Sequence, residues 1–143
     1  MRPLNIISVQ SDKERRSFIS LPWKVYQDDP YWVPPLFSER MFFLTKHPFL
    51  EHADVEFFLA KRGDEVVGTI AAFINHRHND FHDEHIGFFG FFEVLEDKEA
   101  ADQLLNTAED WVKRRGYDAV RGPPQYSPNH DCGLFVDGFD DPP

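Results

Sequence analysis

Apolar residues along this chain change their spacing from segment to segment, and each change marks an element. Over residues 98–115, Ala101, Leu104, Leu105, Ala108, Trp111 and Val112 recur three and four apart, the spacing of one helical face. Asp97 precedes them as an N-cap; Lys113, Arg114 and Arg115 complement the C-terminal end of the dipole, and Gly116 is a natural stop. Elsewhere the pattern is that of strands. LNIISVQ (4–10) predicts a first strand, and VEFFLAKR (55–62) with VVGTIAAFIN (66–75) predicts a β-hairpin around Gly63-Asp64. IGFFGFFEV (86–94) predicts a strand with Phe88 and Phe92 on one face and Phe89 and Phe91 on the other. Apolar residues on both faces predict a central strand covered from both sides. Gly87 and Gly90 suit a bulge or a close backbone approach.

The remaining segments are less regular. Ser11-Asp12 offers an N-cap, and residues 12–27 place Phe18, Leu21 and Tyr26 on a helical stripe that Pro22 is expected to interrupt or end. DDPYWVPPLF (28–37) reads as a Pro- and aromatic-rich corner before a second helix over 36–45, and KHPFLEHA as a further loop. HRHNDFHDEH (76–85) reads as a polar loop, and YDAVRGP (117–123) as a last strand. Beyond it, loop chemistry surrounds one short apolar run, GLFV. The order is strand, helices, hairpin, strand, helix, strand. It predicts one α/β (mixed α+β) domain over residues 1–143, with helices on both faces of a mixed sheet.

Composition narrows the function classes. At 143 residues, 41% of them hydrophobic and 15% aromatic, the chain is expected to fold around an ordinary core. Its 15 Phe residues suit the wide, flat spaces between a sheet and its helices. A formal charge of −10 makes nucleic acid and anionic membrane surfaces poor partners, since both recruit clustered Lys and Arg. The single cysteine, Cys132, allows no intrachain disulfide, and no apolar run reaches membrane-spanning length. A cytoplasmic setting is expected.

The element order resembles that of the GNAT superfamily of N-acetyltransferases. The phrases YWVPPL, HPFLEHADVEFFLA, GTIAAFIN, GFFGFFE and VRGP resemble a bacterial GNAT-like family of longer proteins. The resemblance covers nearly the whole chain and matches the N-terminal part of that family. It implies a mostly antiparallel sheet, and the DGFDDPP ending then predicts a domain without its C-terminal strands. It further implies acyl transfer from acetyl-CoA or another acyl-CoA, as co-substrate, to a small-molecule amine. On the family pattern the acyl arm runs along Phe92, Val94 and Leu95, with the phosphates near Lys98, and Glu93 stands where some members keep a general base. The late Tyr that often serves as general acid has no counterpart here; Tyr126 lies in the wrong segment.

The phosphate loop departs from the pattern. Family members carry Arg/Gln-x-x-Gly-x-Gly/Ala there; this chain has Glu96-Asp97-Lys98-Glu99-Ala100-Ala101, of which only Ala101 fits. Gly lets backbone approach a phosphate, whereas Glu99 fills the space and adds like charge. Two unit charges about 4 Å apart repel by roughly 4 kcal/mol at an effective dielectric of 20. The departure therefore predicts weakened pyrophosphate binding. It also leaves open a non-catalytic GNAT-like module that binds a ligand or a partner protein, because a fold alone does not fix function.

Two other clusters attract attention. His76, His78, His82 and His85, with Asp80, Asp83 and Glu84, are dense in metal-ligating groups, but a metal site also needs a rigid frame, and no metal is expected. Cys132 follows Asn129, His130 and Asp131, yet neighbours in a loop seldom hold nucleophilic attack geometry. Finally, the strand at 117–123 would stand at an open sheet edge, which predicts a homodimer around residues 117–139.

Overall fold

The computed structural model describes residues 2–31, 36–45, 50, 53–122, 124–125 and 127–132, with backbone alone for Phe43, Arg77, His78 and residues 124–132. The corner at 32–35, the loop residues 46–49 and 51–52, Tyr126 and the GLFV run lie outside the described residues. The elements are β1 (Leu4–Ser8), α1 (Asp12–Val25), α2 (Phe37–Thr45), β2 (Ala53–Arg62), β3 (Glu65–Asn75), α3 (His76–His82), β4 (Ile86–Val94), α4 (Lys98–Arg114), β5 (Ala119–Arg121), β6 (Pro124–Gln125) and β7 (Ser127–Cys132). Five strands form one sheet in the order β1-β2-β3-β4-β5. The first three pairings are antiparallel and β4–β5 is parallel. β6 and β7 form a separate two-stranded sheet in a segment expected to be loop.

The sheet separates two cores. On one face α4 lays Leu104, Ala108, Trp111 and Val112 over Ile70, Ala72 and Ile74 of β3. On the other, Phe18 and Ile19 of α1 and Leu44 of α2 pack with Phe57, Leu59 and Ala71. β3 is the middle strand and is buried from Val67 to Asn75, and β4 beside it also meets helices on both faces. β4 lies one place off the centre, and its side chains past Gly90 are partly exposed.

The alternation expected along β4 fails at one point. Thr69 pairs with Glu93 but Ala71 pairs with Gly90, so Phe91 and Phe92 together oppose the single residue Ile70. This is a β-bulge, and Phe91 carries it at φ +50°. The extra residue shifts the faces. Phe91 meets Phe18 and Phe57 on the α1 side, with ring centroids 6.0 and 6.2 Å away. Phe89 and Phe92 share the α4 side, 6.2 Å apart. Phe88 stacks on Phe73 at 5.6 Å. Gly90 keeps its ladder partner; Gly87 serves close approach, since a Cβ there would lie 2.5 Å from Val112 Cγ2.

Two other expectations change. Pro22 sits inside α1, and the helix runs on because the Tyr26 N–H still bonds the Pro22 carbonyl at 2.9 Å. A proline lacks its own N–H, but its carbonyl still accepts from the residue four positions on. The His-rich segment is not a loop but the short helix α3. Buried Asn79 ties it to β4, donating from Nδ2 to the Ile86 carbonyl at 2.9 Å and accepting the Ile86 N–H at 3.3 Å. At the hairpin, Gly63 takes φ +59° in the two-residue turn that brings Arg62 opposite Glu65. No described helix is long and apolar enough to cross a membrane.

Candidate functional site

β4 delivers Glu93 to the same face as Phe91, one residue beyond the paired Phe91–Phe92 bulge. The bulge is held from beneath: the buried Thr69 hydroxyl donates to the Phe91 carbonyl at 2.8 Å. A non-glycine residue at positive φ is strained, so this bond fixes a conformation the chain would otherwise avoid. α1 supplies the partner of Glu93. Its capping residue Tyr26 donates from its hydroxyl to Glu93 Oε2 at 2.7 Å. α2 supplies Arg40, whose guanidinium carbon lies 5.9 Å from the centre of the Phe91 ring.

These neighbours set the chemistry of the carboxyl group. Burial pushes the Glu93 pKa up to about 7, while the Tyr26 hydrogen bond and the Arg40 charge pull it down. Desolvation wins because the ionised form loses more hydration than one hydroxyl and one more distant cation return. Burial and the Glu93 charge in turn hold the Tyr26 phenol well above its usual range. Tyr26 therefore stays protonated at neutral pH and acts as a donor. The arrangement is a carboxyl group whose pKa is raised toward neutrality, which suits accepting a proton from an amine.

Phe92 and Val94, named from the sequence for the acyl donor, flank Glu93 in β4. Phe92, Val94 and Leu95 pack their side chains against the α4-side core, so the backbone is what they could offer to a ligand. β5 pairs with β4 only at residues 86–88, which leaves Phe89 to Val94 outside the parallel pairing. Lys98 is 93% exposed, and its ammonium lies 3.8 Å from Asp102.

At the start of α4, Asp97 caps the helix, its Oδ1 accepting the Ala100 N–H at 3.1 Å. The same carboxylate is gripped by Arg62 from β2, with Nε 2.9 Å from Oδ2 and Nη2 3.0 Å from Oδ1. Arg62 Nη2 also reaches Glu99 Oε1 at 2.6 Å, and Nη1 donates to the Arg2 carbonyl at 3.0 Å. The guanidinium hydrogen bond holds the Asp97 pKa below the usual carboxylate range. A cleft of about 810 Å³ opens beside this cluster, with Arg62, Leu95, Glu96 and Asp97 on its walls. The Asp97 carboxylate thus takes a first-turn N–H of the kind that binds phosphates at helix N-termini.

The other sequence candidates disperse. His76 pairs with Asp54 at 3.2 Å, whereas His85 pairs with Asp118 at 3.3 Å and stacks on Tyr117 at 4.3 Å. Among the described residues, no three His, Cys, Asp or Glu side chains come together as a metal-holding group. Tyr26, Arg40, Thr69 and Arg62, which surround Glu93 and Asp97, carry no signal in the sequence. None belongs to a local motif: Tyr26 and Glu93 are 67 positions apart, and Arg62 and Asp97 are 35 apart.

Comparison with known proteins agrees with this architecture. Residues 15–130 match the model of the acetyltransferase (GNAT) family. The bacterial ceramide synthase of Caulobacter vibrioides (strain NA1000 / CB15N) is 39% identical over 143 residues, covering 98% of this chain and 37% of that protein. Protein YghO of Escherichia coli (strain K12) is 34% identical over 147 residues, covering 97% of this chain and 38% of that protein. The chain thus spans less than two fifths of the length of these relatives. Among solved structures, a GNAT-family acetyltransferase from Staphylococcus aureus Mu50 superposes with a TM-score of 0.58 at 16% identity, covering 87% of this chain and 75% of that one. The aminoglycoside acetyltransferase meta-AAC0020, from an uncultured soil metagenomic sample and in complex with sisomicin, gives 0.57 at 12% identity, covering 82% and 75%. At such identities the structures speak to the fold, while the family match reaches across most of the chain: this protein belongs to the acetyltransferase (GNAT) family.

Proposed function

We propose that this domain transfers an acyl group from an acyl thioester, such as an acyl-CoA, to an amine, with Glu93 as general base. The observation that carries the reading is the Glu93 carboxyl group, held by Tyr26 beyond the β4 bulge with its pKa pushed up to about 7. The Glu93 carboxylate takes a proton from the incoming ammonium group, whose nitrogen then attacks the thioester carbonyl carbon. A C–N bond forms, the C–S bond breaks, and the sulfur leaves as a thiolate. The Tyr26 hydrogen bond holds Oε2, which leaves Oε1 to meet the amine.

The acceptor is proposed to be a long-chain amine. One relative is named a ceramide synthase, and a ceramide is an amide of a long-chain amine. Consistent with that class, Trp23, Tyr31, Leu36, Phe37 and Phe42 are exposed on or beside the two helices that supply Tyr26 and Arg40. An ammonium head at Glu93 and an alkyl tail along these side chains would suit an amphiphilic cation.

The test is to incubate the protein with CoA thioesters from acetyl to palmitoyl and with short and long alkyl amines. Amide formation, read by mass spectrometry, is the expected result, with the long amine preferred. Unmodified amine in every pairing would favour the second reading, a non-catalytic GNAT-like binding module. The specific support for that alternative is the carboxylate already seated at the N-terminus of α4.

A further inference from the structure

The start of α4 holds an ion cluster that the proposed reaction does not use. Arg62 reaches it from β2 and spends four of its five N–H groups there: two on Asp97, one on Glu99 and one on the Arg2 carbonyl. The fork-to-fork pairing with Asp97 is the geometry in which an arginine binds a carboxylate or a phosphate with greatest specificity. Asp97 also occupies the Ala100 N–H, one of the helix donors a phosphate would use. A guanidinium fork and one N–H of a helix N-terminus, both elements that recognise anions, are thus engaged by one internal carboxylate.

The cluster is anchored on all sides. The Arg62 and Asp97 side chains are 9% and 13% exposed, and Glu99 covers the pair from the solvent side at 57%. The Asp97 N–H closes a tight turn on the Leu95 carbonyl at 2.6 Å, which fixes the residue just past β4. An incoming pyrophosphate would have to displace a carboxylate from two sets of donors and approach Glu96 and Glu99 besides. The second step is uphill by charge alone.

We infer that the Arg62–Asp97–Glu99 cluster is a built-in substitute for a donor's pyrophosphate, which closes the α4 N-terminus against it and leaves the acyl donor to be recognised by its thioester and pantetheine arm. The donor half of this inference rests on the acyl-transfer reading; the closure half does not. It makes Arg62, Asp97 and Glu99 specificity-determining residues. A pantetheine thioester without a nucleotide should then serve about as well as the CoA thioester.

Calorimetric titration of the unmodified chain with CoA and with pantetheine separates the possibilities, because the two share the arm and differ in the pyrophosphate and nucleotide. Binding constants within about threefold of each other are expected, since no pyrophosphate contact adds to the arm. CoA binding at least tenfold tighter than pantetheine overturns the inference. If neither binds, the closure stands and the acyl-transfer reading falls. The double variant Asp97→Ser/Glu99→Gln keeps a hydroxyl cap on α4 and releases Arg62. It should bind CoA at least tenfold more tightly than the unmodified chain while pantetheine is unchanged. Glu99→Gly alone, with the Asp97 cap intact, should move CoA in the same direction by a smaller factor. No gain in either variant, or an equal gain for pantetheine, overturns the inference.

Discussion

The Tyr26 hydroxyl donates to Glu93 Oε2 across 2.7 Å, tying the C-terminal cap of α1 to the end of β4. The bond favours the ionised carboxylate and opposes the upward push of burial. In Tyr26→Phe that opposition is lost, so the Glu93 pKa should rise above its present value of about 7. The pH midpoint of acyl transfer should then move to the alkaline side, with kcat/KM lowered at pH 7 and recovered at higher pH. A pH–rate profile checks this; an unmoved midpoint would mean that Tyr26 does not act on Glu93.

Burial of Glu93 also has a stability signature. Its pKa is raised from 4.5 to about 7 on folding, so between those values the native state binds more protons than the unfolded one. The contribution is therefore fully present below pH 4.5 and is lost as pH rises through 7. The total is about 3 kcal/mol by the usual conversion of pKa shift to free energy. Glu93→Gln lacks this titration. Urea unfolding of both proteins should show the variant gaining on the native sequence between pH 4.5 and 7.5, whereas a constant difference would contradict the burial argument.

At Gly87, β4 passes directly against Val112 of α4. A Cβ there would lie 2.5 and 2.6 Å from the two Val112 methyl groups. Gly87→Ala should cost about 1–3 kcal/mol, the usual range for overpacking. Adding Val112→Ala should recover part of that loss, because the clash is with those methyls. Thermal unfolding of the single and double variants reads the result.

How much of this was legible in sequence depended on the range of the interaction. α4 was readable because its periodicity, its Asp97 cap and Gly116 all lie within one segment. The hairpin was readable because its turn residues are adjacent. The faces of β4 were misassigned past Gly90 because Phe91 carries the bulge while glycines drew attention elsewhere. α3 was read as loop because its stability comes from Asn79 bonding to Ile86, outside the helix itself. Glu93 was nominated by family pattern, but its partner Tyr26 was not. Arg62 carried no local signal that it would pair with the Asp97 cap, since that contact joins the sheet to a distant helix.

Among the described strands β5 stands last in the order of the five-stranded sheet, and an edge strand invites pairing. The expectation is a homodimer formed around residues 117–139. Light scattering across a tenfold dilution series should return a two-chain mass that falls at the lowest concentrations. A one-chain mass throughout would contradict it.

The most direct test of the proposed chemistry is kcat/KM for Glu93→Gln against the native sequence, measured from pH 5 to 9 with a long-chain amine and an acyl thioester. The native rate should rise through a midpoint near 7. The variant should lose about 10²–10⁴-fold at the plateau, the usual range for removing a general base, together with that pH dependence. A Glu93→Gln protein that keeps the native rate and profile would contradict the assignment of Glu93 as the base.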